Sequence, residues 1–470
     1  MITDECREKS RFVSQGEVTL HGVRIPYNTV CEDNFFLSED GKPVASIFSY
    51  AYFRSDVADP STRPILFAYN GGPGCGSLWI HMGLFGPKRM KTGDELNISP
   101  VPPFELEENP HCLLDICDVV VVDMVGTGLS RLFDEKAKEQ FYDADADIRQ
   151  LAMFVDGWLT RYGRHNSPVI LAGESYGTGR SCLLAAELLG GGAQNQDTMG
   201  ISVCGILLLG SYFFEETHFS EVALNLPSMA ATCCYHFPEG KPALTEFVKQ
   251  AYEFVEKEYL PAYYRGDELP AGEKAKLLER MSYFTGMDVA ELENTWMDLS
   301  GMEYSKKPMA KQNRVVGFYD SRYTWPALHG VPDSNVIADD PAMGQYTPAY
   351  LGGFALLRDE MQIKVQRRCK GLSHGVNAAW NRSFKMSPGK ALAGAMRRNP
   401  GLNVFFASGL FDLCTTAGNA RFLARHNRLD PNRVTIGEYP SGHMAYLGEE
   451  SARLLGDDLR AFVKKSAHVE

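Results

Sequence analysis

The sharpest chemical signal in this 470-residue sequence is five residues long, Gly173-Glu174-Ser175-Tyr176-Gly177. It follows the apolar run PVILA and precedes TGRSCLLAAELL, which reads as a helix. G-x-S-x-G between a strand and a helix is the setting of an activated serine. Small residues at both ends allow a sharp, strained turn that lifts the hydroxyl clear of the backbone. A bare match to the pentapeptide is common, and its placement is what makes this one informative. A serine hydroxyl needs a base, and the base needs a carboxylate to orient it. In a strand-turn-helix setting of this kind the chain order is Ser, acid, His. Late in the chain the candidate bases are His426 and His443, and the candidate acids are Asp412 and Asp430. His426 falls on a helix beside Arg425, whereas His443 follows RVTIGEYPSG just past a strand. Asp412 ends the run VFFASGLF, while Asp430 precedes Pro431 in a turn. Position after a strand end favours Asp412 and His443.

Acyl transfer also needs N–H donors for the oxyanion. Asn70-Gly71-Gly72-Pro73-Gly74 follows the run PILFAY, and glycine there lets backbone N–H groups approach a reacting carbonyl. The residue after the nucleophile, Tyr176, supplies the second N–H. Other uses of glycine fit poorly. Neither NGGPGCG nor GESYGTG has G-x-G-x-x-G spacing followed by an acid, and no G-x-x-x-x-G-K-[ST] occurs, which argues against a nucleotide.

The elements that must hold these residues can be read around them. GEVTLHGVRIPYNTV and NFFLSEDGKPVASIFSYAYF alternate as strands do, the second pair joined at Asp40-Gly41. RPILFAYNGG, DVVVVDMVG, PVILAGESYG and VCGILLLGSYF hold continuous apolar runs, as strands buried on both faces do. A helix is expected over 143–162, with Leu151, Phe154, Val155, Trp158 and Leu159 on one face. The alternation of strand and helix is the doubly wound signature. It breaks near Glu215. LTEFVKQAYEFVEKEYL, GEKAKLLERMSYF and DVAELENTWMDL then read as amphipathic helices. The pattern returns with LNVFFASGLFDL, a helix over 417–427, the strand RVTIGEYP and the closing helix ESARLLGDDLRAFVKKS. The expected organisation is an α/β core over 1–215 and 400–470, interrupted by a mostly helical insertion over 216–399 that roofs the nucleophile.

Composition narrows the function classes. Hydrophobic residues make up 44% and charged residues 23%, as in a globular protein. The net charge of −12 leaves no footprint for nucleic acid or an anionic membrane. No apolar run approaches the ~18 residues of a spanning helix. The opening MITDECREKSRFVSQG has no signal-like apolar stretch, so the expected location is the cytoplasm. The 11 cysteines are odd in number and lack zinc-ligand spacing, so buried thiols are expected rather than a disulfide framework.

With these motifs in order, NGGPGCGSL, VVDMVGTGLS, GESYG, GLFD and SGHM, the sequence resembles the serine carboxypeptidase family over about 65 to 465. It looks closest to that family's bacterial branches. The resemblance implies an α/β-hydrolase fold with a helical cap inserted before the acid-bearing strand. It implies Ser175 as nucleophile, Asp412 as acid and His443 as base, with oxyanion donors at Gly72 and Tyr176. It also implies that Asn70, Gly71 and Glu174 recognise a substrate's C-terminal carboxylate. Two departures stand out: Ala68 where many members have Trp, and Leu84 where many have a Glu that pairs with the one matching Glu174. Secreted members often keep the cysteine matching Cys75 in a disulfide, whereas the missing signal stretch suggests a thiol here.

The expected activity is release of C-terminal residues from peptides with a free C-terminus, through an acyl-enzyme and without metal or organic cofactor. An esterase or acyltransferase on the same triad is the alternative, favoured by Leu84. A catalytically silent binding protein is a third reading, against which the intact triad argues. A fluorophosphonate probe separates it from the other two, because only an activated serine is labelled. Oligomeric state is not legible in the sequence.

Overall fold

The computed structural model describes residues 10–191, 199–214, 219–328 and 339–469. The expected start of the insertion at 216 and the first residues read for a signal, 1–9, lie outside the described residues. The alternating N-terminal stretches form an antiparallel meander of β1 (Arg11–Leu20), β2 (Val23–Leu37) and β3 (Pro43–Arg54). The apolar runs form β4 (Ile65–Tyr69), β5 (Asp118–Asp123), β6 (Val169–Glu174) and β7 (Val203–Leu209), followed late in the chain by β8 (Asn403–Gly409) and β9 (Val434–Tyr439). Their order in the sheet is β1-β2-β3-β5-β4-β6-β7-β8-β9, with the short strand Arg131–Leu132 added beside β3. From β5 to β9 all neighbours are parallel. Every residue of β4, β5 and β6 is buried, which is why these strands read as continuous rather than alternating runs.

The chain winds outward in one direction from β4 to β5 and in the other from β6 onward. The crevice at the carboxyl ends of β4 and β6 is therefore the topological switch point, where α/β sheets place their sites. The Asn70 loop leaves β4 and the Ser175 turn leaves β6 at that point.

Two helices hold the crevice from one side. α1 (Ala144–Tyr162) starts at Asp143, whose carboxylate accepts from the N–H groups of Asp145 and Ala146, and ends at Gly163 with φ 63°. Its Phe154 and Trp158 meet Phe67 of β4 edge-on. α2 (Tyr176–Leu188) begins at the nucleophile turn. At their site end the two helices are tied by a buried ion pair, Arg180 Nε to Asp147 Oδ2 at 2.5 Å. The same guanidinium donates to the carbonyl of Asn70 at 2.7 Å and lies over the rings of Tyr69 and Tyr176.

The insertion has two parts that pack differently. α3 (Glu221–His236), α4 (Leu244–Phe254) and α5 (Ala271–Thr285) share an apolar cluster of their own, with Met229, Phe247, Phe284 and Leu292 at its centre. That cluster meets the core at Leu413, just past β8. The later part returns to the core. α6 (Pro341–Glu360) sets Tyr350 against Trp79, Phe354 against Tyr50 and Tyr346 against Tyr323, and α7 (Pro388–Arg398) shares an apolar cluster with α2 through Leu392, Met396, Leu184 and Leu188. The chain closes with α8 (Ala417–His426) and α9 (Glu449–Ala467). Among the described residues no helix is long and apolar enough to cross a membrane.

Two stability outcomes follow. Asp147→Ala leaves Arg180 as an uncompensated buried charge and should cost about 3–5 kcal/mol of unfolding free energy in urea. Asp457→Ala, which breaks the exposed Arg453–Asp457 pair, should cost at most about 1 kcal/mol. Equal losses would show that the buried pair is not a tie. No disulfide joins any two of the described cysteines, so excess reductant should leave Tm unchanged. A fall of several degrees would reveal a structural disulfide.

Candidate active site

Ser175 sits at φ 57°, ψ −126°, a conformation that L-residues rarely adopt. Its N–H donates to Leu209 O at 2.8 Å, and its carbonyl accepts from the N–H and the hydroxyl of Thr178. The turn tolerates no side chain at Gly173, because a Cβ there would lie 2.0 Å from the carbonyl oxygen of Gly177. The hydroxyl is thus presented between β6 and α2 by a backbone fixed from both sides.

Directly alongside runs the Asn70 loop. A Cβ on Gly71 would lie 2.5 Å from the amide nitrogen of Tyr176 and 2.6 Å from that of Gly177, so only glycine permits this approach. The loop therefore lies against the amides that follow Ser175, and Gly71, Gly72 and Ser175 line one cavity. The loop is held from beneath. Asn70 N–H donates to Ser77 Oγ, and Ser77 donates through its N–H to Asp123 Oδ1 and through its hydroxyl to Val122 O. Asp123 also accepts from Leu129 N–H and Tyr50 OH, which assigns VVDMVGTGLS a supporting role.

His443 and Asp412 are brought together by the ends of β9 and β8. His443 Nδ1 lies 2.9 Å from Asp412 Oδ2, and Asp412 is fully buried. Asp412 is fixed by N–H donation from Cys414 and Thr415 and by the Thr415 hydroxyl. With Nδ1 engaged, Nε2 is the ring nitrogen left for a proton from the nucleophile. Burial opposes an imidazolium here, but the charge and hydrogen bond of Asp412, with Glu174 behind them, outweigh it and hold the His443 pKa above its ordinary value. The rival pair is built otherwise: His426 stacks on Phe422 of its own helix, and Asp430 caps a turn and pairs with Arg433.

Ser175 and His443 line one cavity of about 430 Å³ together with Asn70, Gly71, Gly72 and Glu174. Burial pushes the Glu174 carboxyl up to about 7, while His443 and hydrogen bonds from Tyr446 and Asn70 pull it down. Burial, with the charge of Glu174, also pushes the Cys75 thiol up to about 12, so this cavity cysteine is no rival nucleophile at neutral pH.

Several residues at the site were not singled out from the sequence. Tyr446 donates its hydroxyl to Glu174 Oε2 at 2.8 Å, so this carboxyl is partnered by a phenol. Leu84 itself is buried in the apolar cluster with Met82 and Phe85. Tyr319 accepts from the His443 N–H through its carbonyl and sets its ring edge-on to the imidazole. Trp79, Met343, Leu372 and Asn377 complete much of the wall. The insertion thus contributes to the cavity through residues from 319 to 377, and none of the lining residues comes from α3, α4 or α5.

Comparison with known proteins finds sequence similarity over the first half of the chain. A serine carboxypeptidase family model matches residues 36–230. A serine carboxypeptidase-like protein of Arabidopsis thaliana is 29% identical over 166 residues, 35% of this chain and 31% of that one. A pheromone-processing carboxypeptidase of Phaeosphaeria nodorum is 27% identical over 172 residues, 36% of this chain and 24% of that one. The chain thus matches a third or less of the length of these curated relatives. Both are eukaryotic, and neither supports the expected placement among bacterial branches. The crystal structure of a prohormone-processing carboxypeptidase from Saccharomyces cerevisiae superposes with TM-score 0.55 at 14% identity, covering 96% of this chain and 92% of that one, a likeness of fold. The chain has the α/β-hydrolase fold, and its residues 36–230, which include the nucleophile turn, are similar to the serine carboxypeptidase family.

Proposed function

We propose that this protein is a serine carboxypeptidase that releases the C-terminal residue of peptides. The observation that carries the reading is the single cavity lined by Ser175, His443, Asn70 and Glu174: a nucleophile, its base and two groups suited to a carboxylate stand within reach of one bound residue. Ser175 attacks the last peptide carbonyl while His443 Nε2 takes its proton. Asp412 holds the imidazole by Nδ1 and stabilises the imidazolium. The N–H groups of Gly72 and Tyr176 receive the oxyanion. His443 then protonates the departing amine. Water, activated by the same ring, opens the acyl-enzyme and frees the shortened peptide with Ser175 restored. The free C-terminus of the substrate meets Asn70, the Gly71 backbone and Glu174, the last of which helps when protonated. The shared triad also suits an esterase or acyltransferase, and the observation favouring that reading is that Glu174 is hydrogen-bonded by the phenol of Tyr446 rather than by a second carboxyl.

The triad is tested by substitution. Ser175→Ala and His443→Ala should each lower kcat by roughly 10⁶, as in another serine protease, and Asp412→Ala should leave more activity. Retention of a tenth of the wild-type rate by Ser175→Ala would remove the nucleophile assignment.

Substrate choice is tested by pH. The Glu174 carboxyl is raised to about 7, so it is protonated and donates to a substrate carboxylate below that pH. Above it the ionised group repels the carboxylate and accepts from an amide N–H instead. The ratio of kcat/KM for a free-acid peptide to that for its C-terminal amide cancels the His443 limb common to both. That ratio should be roughly 10-fold or more at pH 5, the worth of a hydrogen bond to a charged group. It should fall through neutrality, mainly through KM. Glu174→Gln should flatten the fall. Equal cleavage of acid and amide at pH 5 would favour the esterase reading.

A further inference from the structure

The catalytic cavity does not end at Trp79. A second cavity of about 690 Å³ continues from it and shares Cys75, Trp79, Met343, Leu372 and His374 with the first. One wall is the extended segment 368–374, which is fastened along the oxyanion loop. Gly76 N–H donates to Gly371 O, Ser373 N–H donates to Gly74 O, and Gly128 and Lys370 exchange both backbone bonds. The opposite wall is α6, through Met343, Thr347, Pro348 and Leu351.

The far end of this cavity carries three cations, Arg131, Arg368 and Lys370. Among the described residues none of the three makes an ion pair, in a chain whose net charge is −12. Arg131 is set in place by its own donors: one terminal nitrogen bonds to the carbonyls of Gly128 and Ser130 and the other to that of Arg368 at 2.5 Å. Its direct partners are neutral carbonyls, while the carboxylates of Asp123 and Asp33 and the cation of Arg367 act on it through space without forming an ion pair. A fixed cation with two exposed cations beside it, at the end of an apolar channel, suits a short aliphatic chain that ends in a carboxylate.

The position along the substrate follows from Asn70. Its Oδ1 accepts from Ile80 N–H, which keeps Trp79 next to the Asn70 side chain. A residue whose carboxylate meets Asn70 and Glu174 therefore has Trp79 at its flank, and the second cavity opens past that ring. We propose that this cavity receives the side chain of the leaving residue and selects glutamate there. Arg131, Arg368 and Lys370 pair with its carboxylate, and Trp79, Met343 and Leu351 cover its methylenes. The proposal rests on the carboxypeptidase reading for the identity of its ligand.

The test uses peptides that share one acyl half and end in Glu, Gln or Lys. Binding is measured by calorimetry on Ser175→Ala, which reads the cavity without turnover, and kcat/KM is measured on the active enzyme. The Glu peptide should bind about tenfold more tightly than the Gln peptide, with Lys weaker still, because a charge-assisted contact is lost and then reversed. The Glu-to-Gln ratio should shrink in about 0.5 M salt and fall below about twofold in Arg368→Gln/Lys370→Gln, with Tm confirming that the double variant is folded. Equal binding of Glu and Gln peptides to Ser175→Ala, or a ratio unmoved by the double variant, overturns the proposal. A Glu preference in binding, with no release of any C-terminal residue by the active enzyme, supports the acidic subsite and overturns the carboxypeptidase reading alone.

Discussion

Ser175 occupies a backbone conformation that costs an L-residue of the order of 1–3 kcal/mol, and the surrounding structure exists in large part to hold it there. The restraint comes from three sides. β7 accepts its N–H through Leu209, α2 captures its carbonyl through Thr178, and the Asn70 loop lies against the amides of the next two residues. None of these neighbours is local in sequence except Thr178. A strained turn of this kind is stable only inside a finished sheet, because β4, β6 and β7 must already be in register for the restraints to meet. The glycines at 71 and 173 are consequences of the same constraint. Each marks a place where two backbones approach more closely than a Cβ allows.

The polar groups beneath the site distribute the remaining load. Asp123, Asp147 and Asp412 are all buried, and each joins its own segment to one distant in the chain. Asp123 fastens the loop at Ser77 to the turn at Leu129, Asp147 and Arg180 join α1, α2 and the Asn70 carbonyl, and Asp412 fixes the base. In the proposed reaction only the last acts on the chemistry. The other two act on distance, keeping the oxyanion loop against the nucleophile turn. In chemistry of this class small displacements of reacting atoms change rates by large factors.

What the sequence made legible is what local rules control. The serine turn was readable because glycine, apolar run and helix lie next to one another in the chain. Asp412 and His443 were readable because they follow strand ends in the order such sheets require. Tyr446 was not. It lies three residues after the base, but its partner Glu174 lies 272 residues away, and no spacing rule connects them. α6 was missed for a different reason. Its buried Tyr346, Ala349, Tyr350, Gly353, Phe354 and Leu357 do recur at helix spacing, but Pro348 and the pair Gly352-Gly353 inside it are breaker signals that obscure the pattern. The segment 368–374 has no periodicity to read, because its structure comes from hydrogen bonds to the oxyanion loop. Those two pieces, together with Tyr319 and Asn377 and without α3, α4 or α5, supply the insertion's share of the cavity wall.

In the proposed reaction Glu174 links recognition to catalysis through its place in the chain. It is the last residue of β6 and immediately precedes the nucleophile, so it cannot move away from the base without moving Ser175. Its ionised form raises the His443 pKa, and a charged His443 in turn lowers that of Glu174. Protonated, it suits a substrate carboxylate. Ionised, it favours the imidazolium that forms when the serine gives up its proton. The two roles call for opposite protonation states of one side chain and titrate as a coupled pair rather than as independent groups. The Tyr446 hydroxyl moderates the conflict. As a neutral donor it lowers the Glu174 pKa without adding a second charge, whereas a second buried carboxylate would raise it further. The phenol thus works against burial, which alone would carry the Glu174 carboxyl above the value of about 7 that it has here.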